Sequence, residues 1–165
     1  MSSRARDESG FALIEMLIAI IVINVGLLAI LFALTSGVTT LRRSAETSTA
    51  SAVADRQLER YRAVAFSSIY LDTASLNPAV TDATYEGDAA YSGTQVNQTC
   101  ATLTPVCTPT QTVTGPDGRS YRVDTYIVMA TPAGGTGVKQ VTVVVRRAGT
   151  TAALARVVST AGADF

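Results

Sequence analysis

The groups in this chain that could do chemistry are few and unevenly placed. A carboxylate, Glu15, stands near the start of an apolar run from Phe11 to Leu34, in which Asn24 is the other strongly polar side chain. A carboxylate deep in hydrocarbon costs about 2.5–3.5 kcal/mol, and such residues tend to be functional. Glu15 follows Phe11 by four residues. That is about 6 Å along a helix axis, so an interfacial position touching water also accommodates it.

The two cysteines, Cys100 and Cys107, lie in the polar stretch Cys-Ala-Thr-Leu-Thr-Pro-Val-Cys. A structural zinc site needs four ligands, which this pair does not supply. A small disulfide loop is the expected reading, and it implies an oxidising compartment; two free thiols are the alternative. Asp82, Glu86 and Asp88 form the one acidic cluster. They could hold calcium, but the repeating pattern of a calcium loop is missing, and a solvated loop is expected instead.

The chain has no histidine, the commonest general base and metal ligand. Ser–His pairs are therefore impossible, and the sequence shows no glycine-rich phosphate loop, metal-ligand cluster or Ser-x-x-Lys. No catalytic residue, cofactor or metal site is expected, and an enzyme is not. Lys+Arg and Asp+Glu both total 13, so the charge gives no footprint for nucleic acid.

These groups need elements to position them. The run Phe11–Leu34 is long enough as a helix to cross a bilayer. It exceeds the apolar core of a secretory signal, and no convincing cleavage site follows it. Arg4 and Arg6 precede it and Arg42 and Arg43 follow it, so the positive-inside rule gives no strong vote on orientation. Beyond Leu34 the helix is expected to continue and to end between Ala65 and Tyr70. Val38, Leu41, Ala45, Ala54, Leu58, Tyr61 and Ala65 recur at three- and four-residue spacing, which predicts an amphipathic extension that holds a globular domain.

The N-terminal residues carry a family resemblance. Gly10-Phe11-Ala12-Leu13-Ile14-Glu15 resembles the prepilin processing motif of type IV pilins and type II secretion pseudopilins. The usual residue at the position of Ala12 is Thr or Ser. The resemblance implies that a prepilin peptidase cuts between Gly10 and Phe11 and methylates the new amine of Phe11. A glycine before the cut allows close backbone approach. The amine and a carboxylate are both costly in an apolar core unless they pair. The resemblance implies that Glu15 of one subunit neutralises the Phe11 amine of its neighbour and so fixes their stagger. The string Ala54-Asp-Arg-Gln-Leu-Glu-Arg-Tyr-Arg-Ala63 is similar to PilV-type minor pilins and their secretion counterparts.

Residues 71–107 show no pattern that places a regular element; Pro78, Gly87, Gly93 and Pro105 punctuate them, and Pro109 follows. The C-terminal part reads as antiparallel strands at Gln111–Thr114, Arg119–Ala130, Val138–Arg147 and Leu154–Thr160. Turns are expected at Gly115-Pro-Asp-Gly118, Pro132–Gly137 and Ala148–Thr151. The expected class is α+β, a long N-terminal helix on a small antiparallel sheet. Its parts are a leader 1–10, a membrane and filament-core helix 11–34, an amphipathic extension 35–70 and a globular domain 71–165.

The expected function is a minor subunit of a type IV pilus or pseudopilus. Its implied partners are prepilin peptidase, other pilin or pseudopilin subunits and an inner-membrane assembly platform. The chain would span the cytoplasmic membrane once, C-terminal domain outside, before entering the filament. A major filament subunit and a single-span anchor that never polymerises are the alternatives.

Overall fold

The computed structural model describes residues 7–76, 82–131 and 135–162, with the side chains of the long helix described from Ala12 onward. Arg4, Arg6, Pro78 and the start of the turn at Pro132 lie outside the described residues. The chain divides into two units, residues 1–44 and 45–165. The division falls inside the expected amphipathic extension.

Helix α1 runs Asp7–Arg62. No proline interrupts it, and leucine, isoleucine and alanine dominate its first half. Among the described residues it is the one helix long and apolar enough to cross a membrane. In the first unit its apolar side chains are exposed on every face, Leu13, Ile20, Leu27 and Leu34 among them. A helix apolar all round has no solvated face to offer water, which fits a membrane-spanning N-terminal half.

The helix ends at Arg62, earlier than the expected Ala65–Tyr70. Ala63 still donates to the Glu59 carbonyl, but Val64 turns to Tyr61, and Ala65 is extended. A 3-10 turn at Phe66–Ser68 follows. Leaving the helix here swings Ile69 and Leu71 into the core, where both are buried.

In the second unit strands β1 (Thr110–Thr114), β2 (Ser120–Ala130), β3 (Val138–Arg147) and β4 (Ala153–Gly162) form an antiparallel sheet in the order β1-β2-β3-β4. Val123 pairs with Val145 and Ile127 with Val141, and Val143 faces Val157. One face, carrying Tyr121, Val123, Ile127, Val141, Val143 and Val145, packs on Ala50, Ala54, Leu58 and Tyr61 of α1. The buried part of the expected helical stripe is thus its middle. Val38, Leu41, Ala45 and Ala65 are exposed.

The sheet's second face is covered too. Residues expected to be irregular supply a helical turn, α2 (Ala83–Glu86), and Tyr85 of that turn stacks on Tyr126 at 4.5 Å between ring centres. The Tyr85 hydroxyl lies 2.8 Å from the Thr125 carbonyl oxygen, and Tyr126 donates back to the Tyr85 carbonyl at 3.0 Å. A further 3-10 turn at Thr73–Ser75 and an isolated bridge between Leu71 and Asn97 also fall in this segment.

The tight turns use the glycines their geometry requires. Gly118 and Gly149 adopt φ of 73° and 81°, a region that a Cβ disfavours. Asp117 reads as a turn residue and behaves as one. It accepts from the Arg119 N–H, and the Tyr121 hydroxyl donates to it at 2.6 Å.

Candidate functional site

Three places bring together residues with chemistry. The first is the N-terminal stretch of α1. Gly10 and Phe11 lie within it, the Phe11 side chain outside the described residues, and Glu15 is exposed one turn later. Its neighbours Leu13, Ile14, Met16 and Leu17 are exposed apolar side chains. Asn24 behaves differently: its carboxamide nitrogen donates to the Ile20 carbonyl at 2.8 Å. Thr35 does likewise toward Leu31 at 3.0 Å. Such back-bonding satisfies a polar group within its own helix, which lipid demands. A carboxylate has no proton to donate and cannot satisfy itself on the backbone carbonyls this way.

The second place is the cysteine loop. Cys100 and Cys107 are paired, with their Cα atoms 6.7 Å apart. The backbone this loop presents is an acceptor surface. Gln57 donates to the Pro105 carbonyl at 2.6 Å, Tyr61 to Val106 at 2.7 Å and the Asp72 N–H to Cys107 at 2.8 Å. Asp72 in turn accepts from the Cys100 N–H at 3.1 Å. The pair therefore clasps the segment that holds the end of α1.

The third place was expected to be a solvated acidic loop, and two of its three residues correct that. Glu86 is exposed, but Asp82 and Asp88 enter a chain of charges on the sheet face opposite α1. Asp82 accepts from Arg122 at 2.6 Å, and Arg122 also holds Asp124 at 2.8 Å. Arg146 bridges Asp124 and Asp88, and Arg156 holds Asp88 at 2.8 Å. Thr110 donates to Asp124 at 2.9 Å, and the Asp124 side chain is 0% exposed.

The electrostatics follow from this pairing. Burial alone would raise the Asp82 carboxyl. The Arg122 guanidinium and the N–H groups of Tyr85 and Thr84 outweigh it and hold the group below the usual carboxylate value. Asp88 is held down in the same way, its burial outweighed by the Ala90 N–H, Arg156 and Arg146. These carboxylates answer to arginines, and among the described residues no group of three ligands is placed to hold a metal. The network escaped sequence reasoning because its partners are far apart in the chain. The available signal was three arginines, at 122, 146 and 156, in strands rich in apolar residues, together with Asp124 in the middle of one of them.

Residues 5–31 match the family described as the prokaryotic N-terminal methylation motif. No curated protein matches the chain, and no solved structure does. The motif supports a type IV pilin-like, membrane-anchored subunit with a structural role. It implies processing by prepilin peptidase and assembly with other pilins in a membrane.

Proposed function

We propose that this chain is a minor structural subunit of a type IV pilus or a related pseudopilus, cut after Gly10 and methylated on the amine of Phe11. It is held in the cytoplasmic membrane by α1, N-terminus inside and the sheet domain outside, and enters the filament through that helix. The observation that carries the reading is Glu15, a carboxylate inside the matched motif on a helix whose apolar surface is uncovered. In a filament core the carboxylate needs a positive partner, and the freed amine of a neighbouring Phe11 is of the right charge and depth.

Processing and assembly are tested separately. Intact mass of the membrane-extracted protein should correspond to a chain starting at Phe11 with one added methyl group. A mature chain still starting at Met1 would sink the reading. For assembly, Glu15→Leu leaves the neighbour's amine buried alone, a loss of about 3–5 kcal/mol. An association constant then falls by roughly three orders of magnitude. The ratio of filament-associated to membrane-held mature protein should collapse while cleavage continues. An unchanged ratio would instead favour a single-span anchor that never polymerises.

The minor role rests on the similarity of Ala54–Ala63 to PilV-type minor pilins. It predicts a low abundance in sheared filaments; a dominant band would make the chain the major subunit. The implied partners are the peptidase, other pilin or pseudopilin subunits and the inner-membrane assembly platform.

A further inference from the structure

Strand β1 is an edge of the sheet, and its pairing leaves one side open. At its two ends the Thr125 N–H donates to the Pro109 carbonyl and the Gly115 N–H to the Arg119 carbonyl, each at 2.8 Å. Backbone groups alternate in direction along an antiparallel strand. Gln111 and Val113 therefore spend theirs on β2, and Thr110, Thr112 and Thr114 turn theirs away from it. The Thr112 and Thr114 side chains are exposed. Sheet edges are usually blunted by charge, proline or an irregular register. β4, the opposite edge, carries Arg156, and its pairing with β3 shifts at Val145/Arg146. β1 reads Thr-Gln-Thr-Val-Thr, uncharged and regularly paired from end to end.

Beside this open edge, between β1 and α1, lies a depression of about 290 Å³. Val53, Val113, Pro116 and Val123 give it an apolar lining, and Arg56 and Arg60 stand in its α1 wall. Gln57 fixes one of these arginines. It is buried, its amide nitrogen donates to the Pro105 carbonyl at 2.6 Å, and its oxygen accepts from Arg60 at 2.9 Å. That bond uses one of the five guanidinium donors. Among the described residues neither Arg56 nor Arg60 is paired with a carboxylate.

A strand laid along β1 would meet the outward groups of Thr110, Thr112 and Thr114. It would project every second side chain toward α1, over the depression. The edge is short, so backbone bonds alone are few, and the side chains must add to them. The lining suits an apolar side chain, and the two guanidiniums suit a carboxylate.

We infer that β1 and this depression bind an extended segment of another protein by strand addition, a segment with apolar and acidic side chains on its α1-facing side. In this mode the main chain gives affinity and the pockets beside the edge give specificity. All the residues involved lie in the second unit, so the inference does not depend on the filament reading.

The probe is a capped, fluorescent seven-residue peptide with Val, Glu and Val on one face and Thr at the four positions between and around them. Its binding to the full-length protein in non-ionic detergent is read by fluorescence anisotropy. R56E with R60E should weaken binding at least about tenfold. Changing the peptide's Glu to Lys should restore binding to that variant and weaken binding to the unaltered protein. Thr112→Pro removes an outward N–H and leaves the β1–β2 bonds in place. It should weaken binding by a similar factor at an unchanged unfolding midpoint. Two further peptides, N-methylated at alternate amides in opposite phase, probe the edge without altering the protein. One should lose binding and the other keep it, because only one phase turns its N–H groups toward β1.

No saturable binding of the unmodified peptide up to about 1 mM would overturn the inference. So would binding indifferent to R56E with R60E. Equal binding of the two methylated peptides would mean that the depression takes an acidic amphiphile without strand pairing. Self-association of the unaltered chain that the peptide displaces would make a second copy the occupant. Either of these last results overturns the choice of another protein's extended segment.

Discussion

Glu15 and Asp124 are both carboxylates in apolar elements, and they are provided for in opposite ways. Asp124 sits in the centre of a sheet with its side chain wholly buried, between Arg122 and Arg146 and under the Thr110 hydroxyl. Everything its charge needs is supplied by the chain itself. Glu15 stands on an uncovered helix among exposed leucines, isoleucines and methionine. The difference separates a unit whose carboxylate is satisfied within the fold from one whose carboxylate is exposed on an apolar helix. An internal charge network closes a domain; on the proposed reading, a neighbour meets the carboxylate on the apolar helix.

The largest expected effect breaks that contrast at its folded end. Asp124→Asn keeps the shape but leaves Arg122 and Arg146 without their shared counter-charge. Breaking a buried network this way costs about 3–5 kcal/mol. The denaturant midpoint of the detergent-purified full chain, followed by circular dichroism, should fall accordingly. Glu15→Leu should leave that midpoint where it was, because on the proposed reading its consequence belongs to assembly. A midpoint that moves equally in both variants would erase the distinction.

Next in size is the cysteine loop, which closes the domain covalently. With Cys100 and Cys107 at a sequence separation of 7, loss of the link is expected to cost about 2–3 kcal/mol. Cys100→Ser with Cys107→Ser should lower the unfolding midpoint by less than Asp124→Asn does. Non-reducing peptide mapping of exported protein should show the linked pair, and full alkylation of both thiols without reductant would contradict it.

Acid should then dissect the network. Asp82 and Asp88 are held below the ordinary carboxylate value. Groups of this kind contribute stability that is fully present above the unfolded carboxylate value, near 3.8. The contribution is lost as pH falls through the depressed folded values. Stability should therefore decline below about pH 4, and Arg122→Gln should weaken the part of that decline that belongs to Asp82. A decline of unchanged steepness in Arg122→Gln would show that Asp82 does not draw on this arginine.

The sequence displayed much of this molecule because its signals are local. Alternation in Val138–Arg147 and Tyr121–Met129, and Gly118 and Gly149 at turns, place the four strands to within a residue or two. The apolar helix shows in Phe11–Leu34 for the same reason. What stayed hidden depends on contacts across the fold. Asp88 and Arg146 are 58 residues apart, so nothing near Asp88 marks it as paired, and a surface loop was the natural reading. Tyr85 lies in a segment without periodicity, and its burial comes from Tyr126 on a strand 41 residues later. The helical stripe was legible where it meets the sheet, at Ala54, Leu58 and Tyr61. It misled at Ala65, because spacing alone does not show where the chain leaves the helix.

The smallest effect concerns a third kind of charge, one buried without a counter-ion. Lys139 is buried on the α1 side of the sheet; its ammonium donates to the Phe66 carbonyl at 2.7 Å and sits 4.5 Å from the centre of the Phe66 ring. These contacts offer a dipole and a ring face in place of a counter-charge. Burial pulls its pKa below the usual lysine value of 10.5. The unfolded chain therefore binds more protons in the alkaline range, and stability should rise as pH climbs from the folded value toward 10.5. Lys139→Met keeps the length and removes the charge. The Phe66 carbonyl still accepts from the Ile69 N–H at 3.2 Å, so no acceptor is orphaned. The loss of one charge–ring contact and one hydrogen bond, set against relief of desolvation, should change stability by no more than about 1 kcal/mol. The alkaline rise should vanish with the ammonium. If Lys139→Met instead destabilised the domain as strongly as Asp124→Asn, burial of charge would matter here irrespective of whether a counter-ion is at hand, and the contrast between Asp124 and Glu15 would lose its basis.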